Sequence, residues 1–206
     1  HRYGRRQRQM CIRDRAEIEH EFQMSGANGP AYTSIVGGGA NGCILHYIEN
    51  KDMLKNGDLV LIDAGCEYED YASDITRTFP VNGKFSDEQA AIYDIVLKAL
   101  KEAIDVTQAG TPYNKTNETT IRVITEGLVE LGLLKGDIND LIKAEAHREF
   151  YMHGAGHWLG LDVHDVGDYK IDGEWRIYEP GMVVTIEPGI YICLLYTSDA
   201  ADDRIC

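Results

Sequence analysis

Hydrophobic and polar positions along the chain predict strands near both ends and helices between them. Residues 59–62 form an apolar run after a polar turn signal, which predicts a buried strand. A second strand is predicted over residues 71–79, and the polar residues between these two strands predict a hairpin loop. A third strand is predicted over residues 182–186, where apolar and β-branched residues precede a Pro-Gly turn.

Three helices are predicted in the middle of the chain. Ser86 and Gln89 match a capping box, and the apolar residues behind them recur with helical spacing as far as Gly110 and Pro112. A second helix is predicted over residues 116–131, and a short third helix from Asp137. Strands, then helices, then strands indicate an α+β domain rather than a doubly wound sheet. The residues expected to face the core are Ile92, Ile95, Val96, Ala99, Leu100, Ala103, Ile104, Ile121, Ile124, Leu128, Leu131, Ile138, Leu141 and Ile142.

Composition indicates an ordinary globular protein, with 44% hydrophobic and 26% charged residues among 206. The net charge of −14 argues against nucleic-acid binding, which requires a basic face. No apolar run reaches the roughly 18 residues that span a bilayer, so no membrane partner is expected. The five cysteines are odd in number and include no C-x-x-C pair, which argues against a disulfide framework. Free cysteines and the lack of a signal-peptide pattern predict a cytoplasmic location.

The two ends of the chain differ from the rest of the sequence. Residues 1–15 contain six arginines and little apolar pattern, and residues 193–206 change to unrelated, foreign-looking sequence. Both segments are predicted to be non-native tails, although a native basic arm is the alternative for the first. The domain itself is therefore expected over residues 16–192.

Asp63 and Asp74 are the first candidates for chemistry. Asp63 ends an apolar run, and a buried carboxylate is costly unless it is paired or binds a cation. If the hairpin is centred between Tyr68 and Glu69, the two aspartates lie opposite each other with Cβ atoms about 5 Å apart. Such a pair repels unless a proton or a metal lies between its members. The structural alternative pairs Asp74 with Arg77 and uses Asp63 to cap a turn.

Histidines and a glutamate extend this set. His153 and His157 are four residues apart, but the glycines between them argue against a helix and against the H-E-x-x-H zinc motif. A loop or strand that brings these histidines into a glycine-lined cleft fits better, and His164 lies within the same twelve residues. His46 is the fourth candidate histidine. Glu187 ends the third predicted strand and is held there by the Pro-Gly turn. For each residue alone, a structural or surface role is the ordinary alternative.

Together the candidates form a ligand set that is rich in oxygen and includes imidazole. Such a set suits manganese, cobalt, iron or zinc better than calcium. Bridging carboxylates also allow two metals about 3.5–4 Å apart, an arrangement that recurs in hydrolases. The sequence therefore predicts a site for divalent metal ions.

Six strings carry a resemblance to a known family: G-C-I-L-H-Y (42–47), L-I-D-A-G-C (61–66), D-I-T-R-T-F-P (74–80), H-G-A-G-H-W-L-G-L (153–161), D-V-H-D-V-G (162–167) and E-P-G (187–189). They resemble the pita-bread metallopeptidases, and among these the aminopeptidase P family most closely, with similarity nearly continuous from about residue 31 to 192. The resemblance implies a pita-bread (creatinase/methionine aminopeptidase-like) fold, a curved antiparallel sheet with helices on its outer face. It also implies a hydrolase that removes an N-terminal residue preceding proline, and it makes residues 16–192 an incomplete catalytic domain.

The resemblance implies a metal role for four residues. Asp63 would bind one of two divalent ions and His157 the other, while Asp74 and Glu187 would bridge both. Mn²⁺ is the expected metal, with Co²⁺, Zn²⁺ or Fe²⁺ as alternatives. The two ions would activate a hydroxide that attacks the scissile carbonyl.

The resemblance also assigns the other candidate side chains. His46 and His164 would hydrogen-bond the substrate carbonyl and the tetrahedral intermediate. His153 would lie beside the leaving-group side of the cleft, and Tyr32 would be a hydrogen-bond partner of a bridging carboxylate.

The family pattern includes two parts that this chain does not match. Another glutamate ligand follows the Glu187 region in the family, so the chain is expected to be truncated before it, and an N-terminal domain that helps relatives to form oligomers is absent. The parent is expected to be a homo-oligomer that cleaves peptides with proline at the second position, whereas the activity of this chain alone is left open. The alternatives are an X-Pro dipeptidase (prolidase), a methionine aminopeptidase, or a non-catalytic pita-bread binding module.

Overall fold

The computed structural model describes residues 11–192, which divide into two compact units. Within that range, the first unit comprises residues 11–66, 75–84 and 191–192, and the second comprises residues 67–74 and 85–190. Residues 1–10 and 193–206 of the predicted tails, with Cys193 and Cys206, lie outside the described residues. Residues 11–15 of the predicted first tail begin a helix, and the domain limits at residues 16 and 192 stay predictions.

Along the described residues, one helix is followed by a group of strands, then by a group of helices and finally by a short hairpin. The helices are α1 (Cys11–Met24), α2 (Asp87–Val106), α3 (Asn114–Glu130) and α4 (Ile138–Lys143), with short 3-10 helices at Gly39–Cys43 and Ala146–Glu149. The strands are β1 (Gly29–Pro30), β2 (Ile35–Gly38), β3 (Leu59–Asp63), β4 (Cys66–Tyr68), β5 (Tyr71–Ala72), β6 (Thr76–Pro80), β7 (Lys170–Ile171) and β8 (Glu174–Trp175).

An antiparallel sheet of strand order β2-β3-β6 forms the first unit. Its central strand β3 is the predicted buried strand, and Val60 on β3 packs with Val36 and Cys11 in a small core. A slip of one residue would turn Val36 and Val60 away from this core, so their burial fixes the register. Other side chains that pack against the core are Leu54, Ile62 and Val81.

The hairpin β4-β5 turns one residue later than predicted. Tyr68 pairs with Tyr71, so the turn lies at Glu69 and Asp70 rather than between Tyr68 and Glu69. Glu69 and Asp70 have φ values of 50° and 66°, as a two-residue type I′ turn requires. The difference arises because Asp readily adopts a positive φ but Glu does not favour it. The sequence therefore carries no clear signal for a turn at these two residues.

The true register separates the two predicted aspartates. Asp63 lies opposite Thr76 in the sheet, and the prediction that it lies opposite Asp74 is wrong. The strand predicted over residues 71–79 is also interrupted, because residues 73–75 lie between β5 and β6 without strand structure. Asp74 therefore follows the end of β5 in an irregular segment.

Helices α2 and α3 provide the core of the second unit. The predicted capping box is confirmed, because Ser86 Oγ accepts from the Gln89 N–H and the Gln89 side chain accepts from the Ser86 N–H. Ile104 and Leu131 were expected to face inward but are 50% and 42% exposed, since each lies at the C-terminal end of its helix. The core cluster comprises Ala99, Val123, Ile124, Leu128, Leu134 and Tyr151.

The predicted strand over residues 182–186 is not a regular strand, and its one assigned bridge joins Trp158 to Val184. Main-chain hydrogen bonds nevertheless join residues 155–159 to residues 183–187 in antiparallel order. These two stretches are the paired segments, with 155–159 the first and 183–187 the second. The N–H groups of Leu159, Thr185 and Glu187 donate to the carbonyls of Val183, His157 and Ala155, respectively. The segment at 153–157 is not helical, which confirms the prediction from its glycines.

Two further features concern the cysteines and the apolar character of the helices. Cys11, Cys43 and Cys66 are free thiols in the part of the chain that the structure describes. Among the helices within residues 11–192, none combines the length and apolar character needed to cross a lipid bilayer.

Candidate metal centre

Asp74, His157 and Glu187 come together within the second unit. One ligand atom from each side chain lies within 4.8 Å of the other two. His157 Nε2 is 3.2 Å from Asp74 Oδ2 and 3.3 Å from Glu187 Oε1. The side chains of Asp74 and His157 are 14% and 17% exposed, and that of Glu187 is 35% exposed. The cluster is thus partly buried but reachable from solvent.

The paired segments bring His157 and Glu187 together. His157 lies opposite Thr185 in the antiparallel register, and Glu187 is two residues further along on the same face. Gly156 allows this close approach, because a Cβ at that position would lie 1.9 Å from the carbonyl oxygen of Thr185. Any larger residue would push the two segments apart.

Backbone contacts of β5 place Asp74 beside this pair of segments. The Ala72 N–H donates to the Gly160 carbonyl at 2.8 Å, and the Tyr71 hydroxyl donates to the Leu159 carbonyl at 3.1 Å. These bonds join β5 to the last residue of the segment 155–159 and to the residue after it. Asp74 comes two residues after Ala72 and so reaches His157.

A main-chain carbonyl orients the His157 imidazole. His157 Nδ1 lies 2.8 Å from the Trp158 carbonyl oxygen, and because a carbonyl only accepts, Nδ1 carries the proton of this bond. In the neutral ring, the lone pair of Nε2 then points toward the carboxylates of Asp74 and Glu187. A histidine held in this way by its other nitrogen is typical of metal-binding sites.

The surroundings favour a positive charge at His157. Burial alone would lower the pKa of His157, but hydrogen bonds from its ring to Asp74 and to the Trp158 carbonyl, with the charge of Glu187, raise it above its ordinary value. Two carboxylates facing one imidazole nitrogen can be neutralised by a proton on that nitrogen or by a divalent cation. The donor set of one imidazole and two carboxylates fits a first-row divalent metal ion.

Asp63, the fourth predicted ligand, belongs to the first unit and is half-buried at the end of β3. Its Oδ1 accepts a short hydrogen bond from the Tyr32 hydroxyl. Tyr32 thus bonds a predicted ligand, but the one expected to bind a single metal rather than a bridging carboxylate. The three-residue cluster found among residues 11–192 does not include Asp63, and its metal role stays a prediction.

The predicted catalytic histidines lie in different settings. The rings of His164 and His157 meet edge to face, with centroids 4.3 Å apart, so His164 lies beside the cluster. The His153 ring packs edge-on against Tyr151 at 4.8 Å. His46 is exposed in the first unit, with a φ of 57°. Their catalytic roles stay predictions.

Three residues that contact the cluster or its backbone were not predicted from the sequence. The Tyr113 hydroxyl donates to the Gly156 carbonyl at 2.8 Å, and Asn117 Oδ1 accepts from the Ala155 N–H at 3.1 Å. Burial, with Tyr169 and Tyr178 nearby, raises the pKa of Tyr113, so its hydroxyl keeps the donated proton. No local sequence signal marks these long-range contacts.

Thr185 is the third residue, and a local signal for it exists. It stands two residues before Glu187, and alternation along an extended segment puts both side chains on one face.

Two paired extended segments that present a histidine and a glutamate on one face, with an aspartate beside them, define a candidate divalent-metal centre of the metallopeptidase class. The sequence matches metallopeptidase family M24 over residues 12–200, and the chain belongs to this family. It is 60% identical over 177 residues to an Xaa-Pro aminopeptidase of Haemophilus influenzae, and 58% identical over 176 residues to one of Escherichia coli. The matches cover 86% and 85% of this chain but 41% and 40% of those proteins.

Solved structures show the same fold. The aminopeptidase PepP of Pseudomonas aeruginosa superposes with a TM-score of 0.89 at 59% identity, covering 90% of this chain and 42% of that one. Zinc-substituted E. coli aminopeptidase P in complex with product gives a TM-score of 0.87 at 55% identity, covering 91% and 42%. The α+β pita-bread fold expected from the sequence is thereby confirmed for a chain that spans about two fifths of its relatives.

Proposed function

We propose that the protein to which this chain corresponds hydrolyses the bond between an N-terminal residue and a following proline, with the help of divalent metal ions. The observation that carries the proposal is the convergence of Asp74, His157 and Glu187 in a member of family M24. The similarity to Xaa-Pro aminopeptidases at 58–60% identity supports the substrate class. Because the chain spans about two fifths of those relatives, the activity belongs to the proposal for the whole protein.

Two ions, with Mn²⁺ as the preferred metal, are proposed to be held by Asp63, Asp74, His157 and Glu187. Bound divalent ions lower the pKa of water enough to supply hydroxide near neutral pH. The half-buried carboxylates would compensate the positive charge, and the Trp158 carbonyl would hold the His157 ring in place. The contribution of Asp63 rests on the family resemblance.

The histidines and the wider setting complete the proposal. His164, beside His157, and His46 are proposed to hydrogen-bond the substrate carbonyl, with His153 on the leaving-group side. Peptides with proline second are the proposed substrates, in a cytoplasmic homo-oligomer. Residues 16–192 are proposed to be the catalytic part, with non-native segments at 1–15 and 193–206.

Metal binding tests the site in the chain itself. Calorimetric titration of the metal-free 206-residue chain with Mn²⁺ should show binding that Asp74→Ala removes or weakens at least about tenfold, since it deletes one ligand. Asp94→Ala is the matched control, because it removes an exposed carboxylate from helix α2. Equal affinity in wild type and Asp74→Ala would exclude the cluster as the site.

The substrate class needs a separate assay on the full-length protein. Cleavage of X-Pro-peptides is expected, with X-Pro dipeptides and Met-Ala-peptides cleaved slowly. Preference for the dipeptide would favour a prolidase, and preference for the Met-Ala-peptide would favour a methionine aminopeptidase. Metal binding without any cleavage would support the non-catalytic binding module instead.

A further inference from the structure

The Thr185 hydroxyl contacts two members of the cluster at once. Thr185 Oγ1 lies 2.9 Å from the main-chain nitrogen of His157 and 2.7 Å from Glu187 Oε1. The Thr185 N–H also donates to the His157 carbonyl at 2.9 Å, so backbone and side chain of one residue both contact His157. A single oxygen atom thus links the imidazole-bearing segment to the carboxylate.

The direction of the two side-chain bonds is fixed by their partners. The His157 N–H can only donate, so Thr185 Oγ1 accepts this bond. An ionised Glu187 can only accept, so the one proton of the hydroxyl points to Oε1. Hydrogen bonds to a charged acceptor are roughly twice as strong as neutral ones. The hydroxyl therefore stabilises the Glu187 carboxylate in one rotamer.

The backbone and the residue type both restrict the hydroxyl. Thr185 lies directly opposite His157 in the paired segments, and Gly156 lets these segments approach closely. A β-branched side chain has few χ1 choices in an extended segment. The hydroxyl position is accordingly set before any ligand binds.

We propose that Thr185 is a positioning residue that fixes Glu187 and His157 in the arrangement that binds a divalent cation. This inference rests on the proposed function, because it assumes that the cluster binds metal. Outer partners of metal ligands typically contribute 10–100-fold in affinity. Thr185 would act through the ligands without contacting the ion.

Two matched pairs isolate the hydroxyl from the rest of the side chain. Thr185→Val keeps the shape and removes the oxygen, whereas Thr185→Ser keeps the oxygen and removes a methyl group. Thr185→Ala differs from Thr185→Ser by the oxygen alone, so the comparison survives if Thr185→Val fails to fold. In calorimetric titrations with Mn²⁺, we expect Thr185→Val and Thr185→Ala to bind at least about tenfold more weakly than wild type. Thr185→Ser should stay within about threefold.

A metal-free measurement tests the same inference independently. Without the hydroxyl, the His157 N–H loses its acceptor, so its amide hydrogen should exchange faster in Thr185→Ala and Thr185→Val than in Thr185→Ser and wild type. Exchange would be followed by NMR on the 206-residue chain without metal.

The outcomes separate this inference from the proposed function. Failure of the wild type to bind Mn²⁺ would count against the metal site, and the exchange rates would still decide the positioning role. Mn²⁺ affinities that are equal in Thr185→Ala and Thr185→Ser would overturn the inference, as would equal His157 exchange rates. This holds even if Thr185→Ala and Thr185→Ser both bind Mn²⁺ more weakly than wild type, because an equal loss in the two variants would show that the oxygen is not the cause.

Discussion

Two antiparallel ladders, one in each unit, are stabilised by different kinds of side chain. In the sheet β2-β3-β6, Val36 and Val60 are 0% and 7% exposed and pack in an aliphatic core. In the paired segments, the cluster-bearing face includes His157, Thr185 and Glu187, which are linked to one another through hydrogen bonds of the Thr185 hydroxyl. The first ladder carries no member of the cluster, and the second carries two of its three residues.

The difference shows where each ladder is sensitive. Aliphatic packing spreads its free energy over many weak contacts, and a small change of volume is partly absorbed. A hydrogen-bonded ladder depends on a few atoms with fixed directions, so the loss of one atom leaves its partner unsatisfied. Substitutions that exchange the two characters should therefore be unfavourable in both ladders, through a buried polar atom in the first and a lost hydrogen bond in the second.

The largest effect is expected from closing the gap between the paired segments. Gly156→Ala places a Cβ 1.9 Å from the Thr185 carbonyl oxygen, and this backbone overlap should cost about 3 kcal/mol of unfolding free energy. Mn²⁺ affinity should fall more than about tenfold because His157 is displaced. Gly154→Ala is the control, since a Cβ there meets nothing within 4 Å. Urea unfolding and calorimetry measure both quantities, and equal behaviour of the two variants would contradict the close approach.

A polar atom placed in the aliphatic ladder should have the next largest effect. Val36→Thr keeps the side-chain shape but buries a hydroxyl, which should lower the unfolding free energy by about 1–3 kcal/mol. Val166→Thr makes the same change at a side chain that is 93% exposed, and we expect a change within about 0.5 kcal/mol. Urea unfolding of both variants checks this, and a neutral Val36→Thr would show that the core tolerates polar atoms.

A smaller effect is expected behind the second ladder, at Tyr113. Tyr113→Phe removes the donor to the Gly156 carbonyl but keeps the ring, so we expect a loss of about 1 kcal/mol of unfolding free energy. Mn²⁺ affinity should fall only severalfold, because Thr185 still holds His157. Tyr93→Phe, at a half-exposed ring that packs on Phe85, should leave both quantities unchanged. Thermal unfolding and calorimetry would show whether the two tyrosines differ.

The smallest effect is expected outside both ladders, from the pH dependence of His147. Burial, with Arg148 nearby, lowers the pKa of His147, although Glu145 opposes this shift. The unfolded chain then binds more protons below the ordinary histidine pKa of about 6.5, so stability that is complete above this pH decreases as the pH falls.

A non-titrating side chain at this position gives the comparison. Urea unfolding at pH 7.5 and 5.5 should show a greater loss in wild type than in His147→Gln. Parallel losses in the two proteins would assign the acid sensitivity to other groups.

Local signals predicted the elements whose stability is local. The capping box at Ser86 and the apolar run before Asp63 correspond to the start of α2 and to β3. The hairpin register was missed because Glu69 adopts a positive φ without a glycine or asparagine to indicate it. That one residue changed the partner of Asp63 and removed the geometric reason for pairing it with Asp74.

The cluster was partly predictable, because its members are residue types that bind metals and Glu187 directly follows an apolar, β-branched stretch. The contacts that orient it were not, since they join distant positions. Tyr113 bonds Gly156 across 43 residues, and no periodicity connects a helix start with a glycine so far along the chain. Thr185 could have been found from its alternation with Glu187.

Trp158, whose main-chain carbonyl orients His157, also carries a fluorescent indole beside the metal centre. The chain has two tryptophans, of which Trp158 is 7% exposed and stacks on Tyr169, whereas Trp175 is 40% exposed. A bound ion that draws the His157 ring toward the carboxylates would alter the surroundings of the buried indole and leave the exposed one in water. In a Trp175→Phe protein, the emission of Trp158 would then follow the occupancy of the centre in real time.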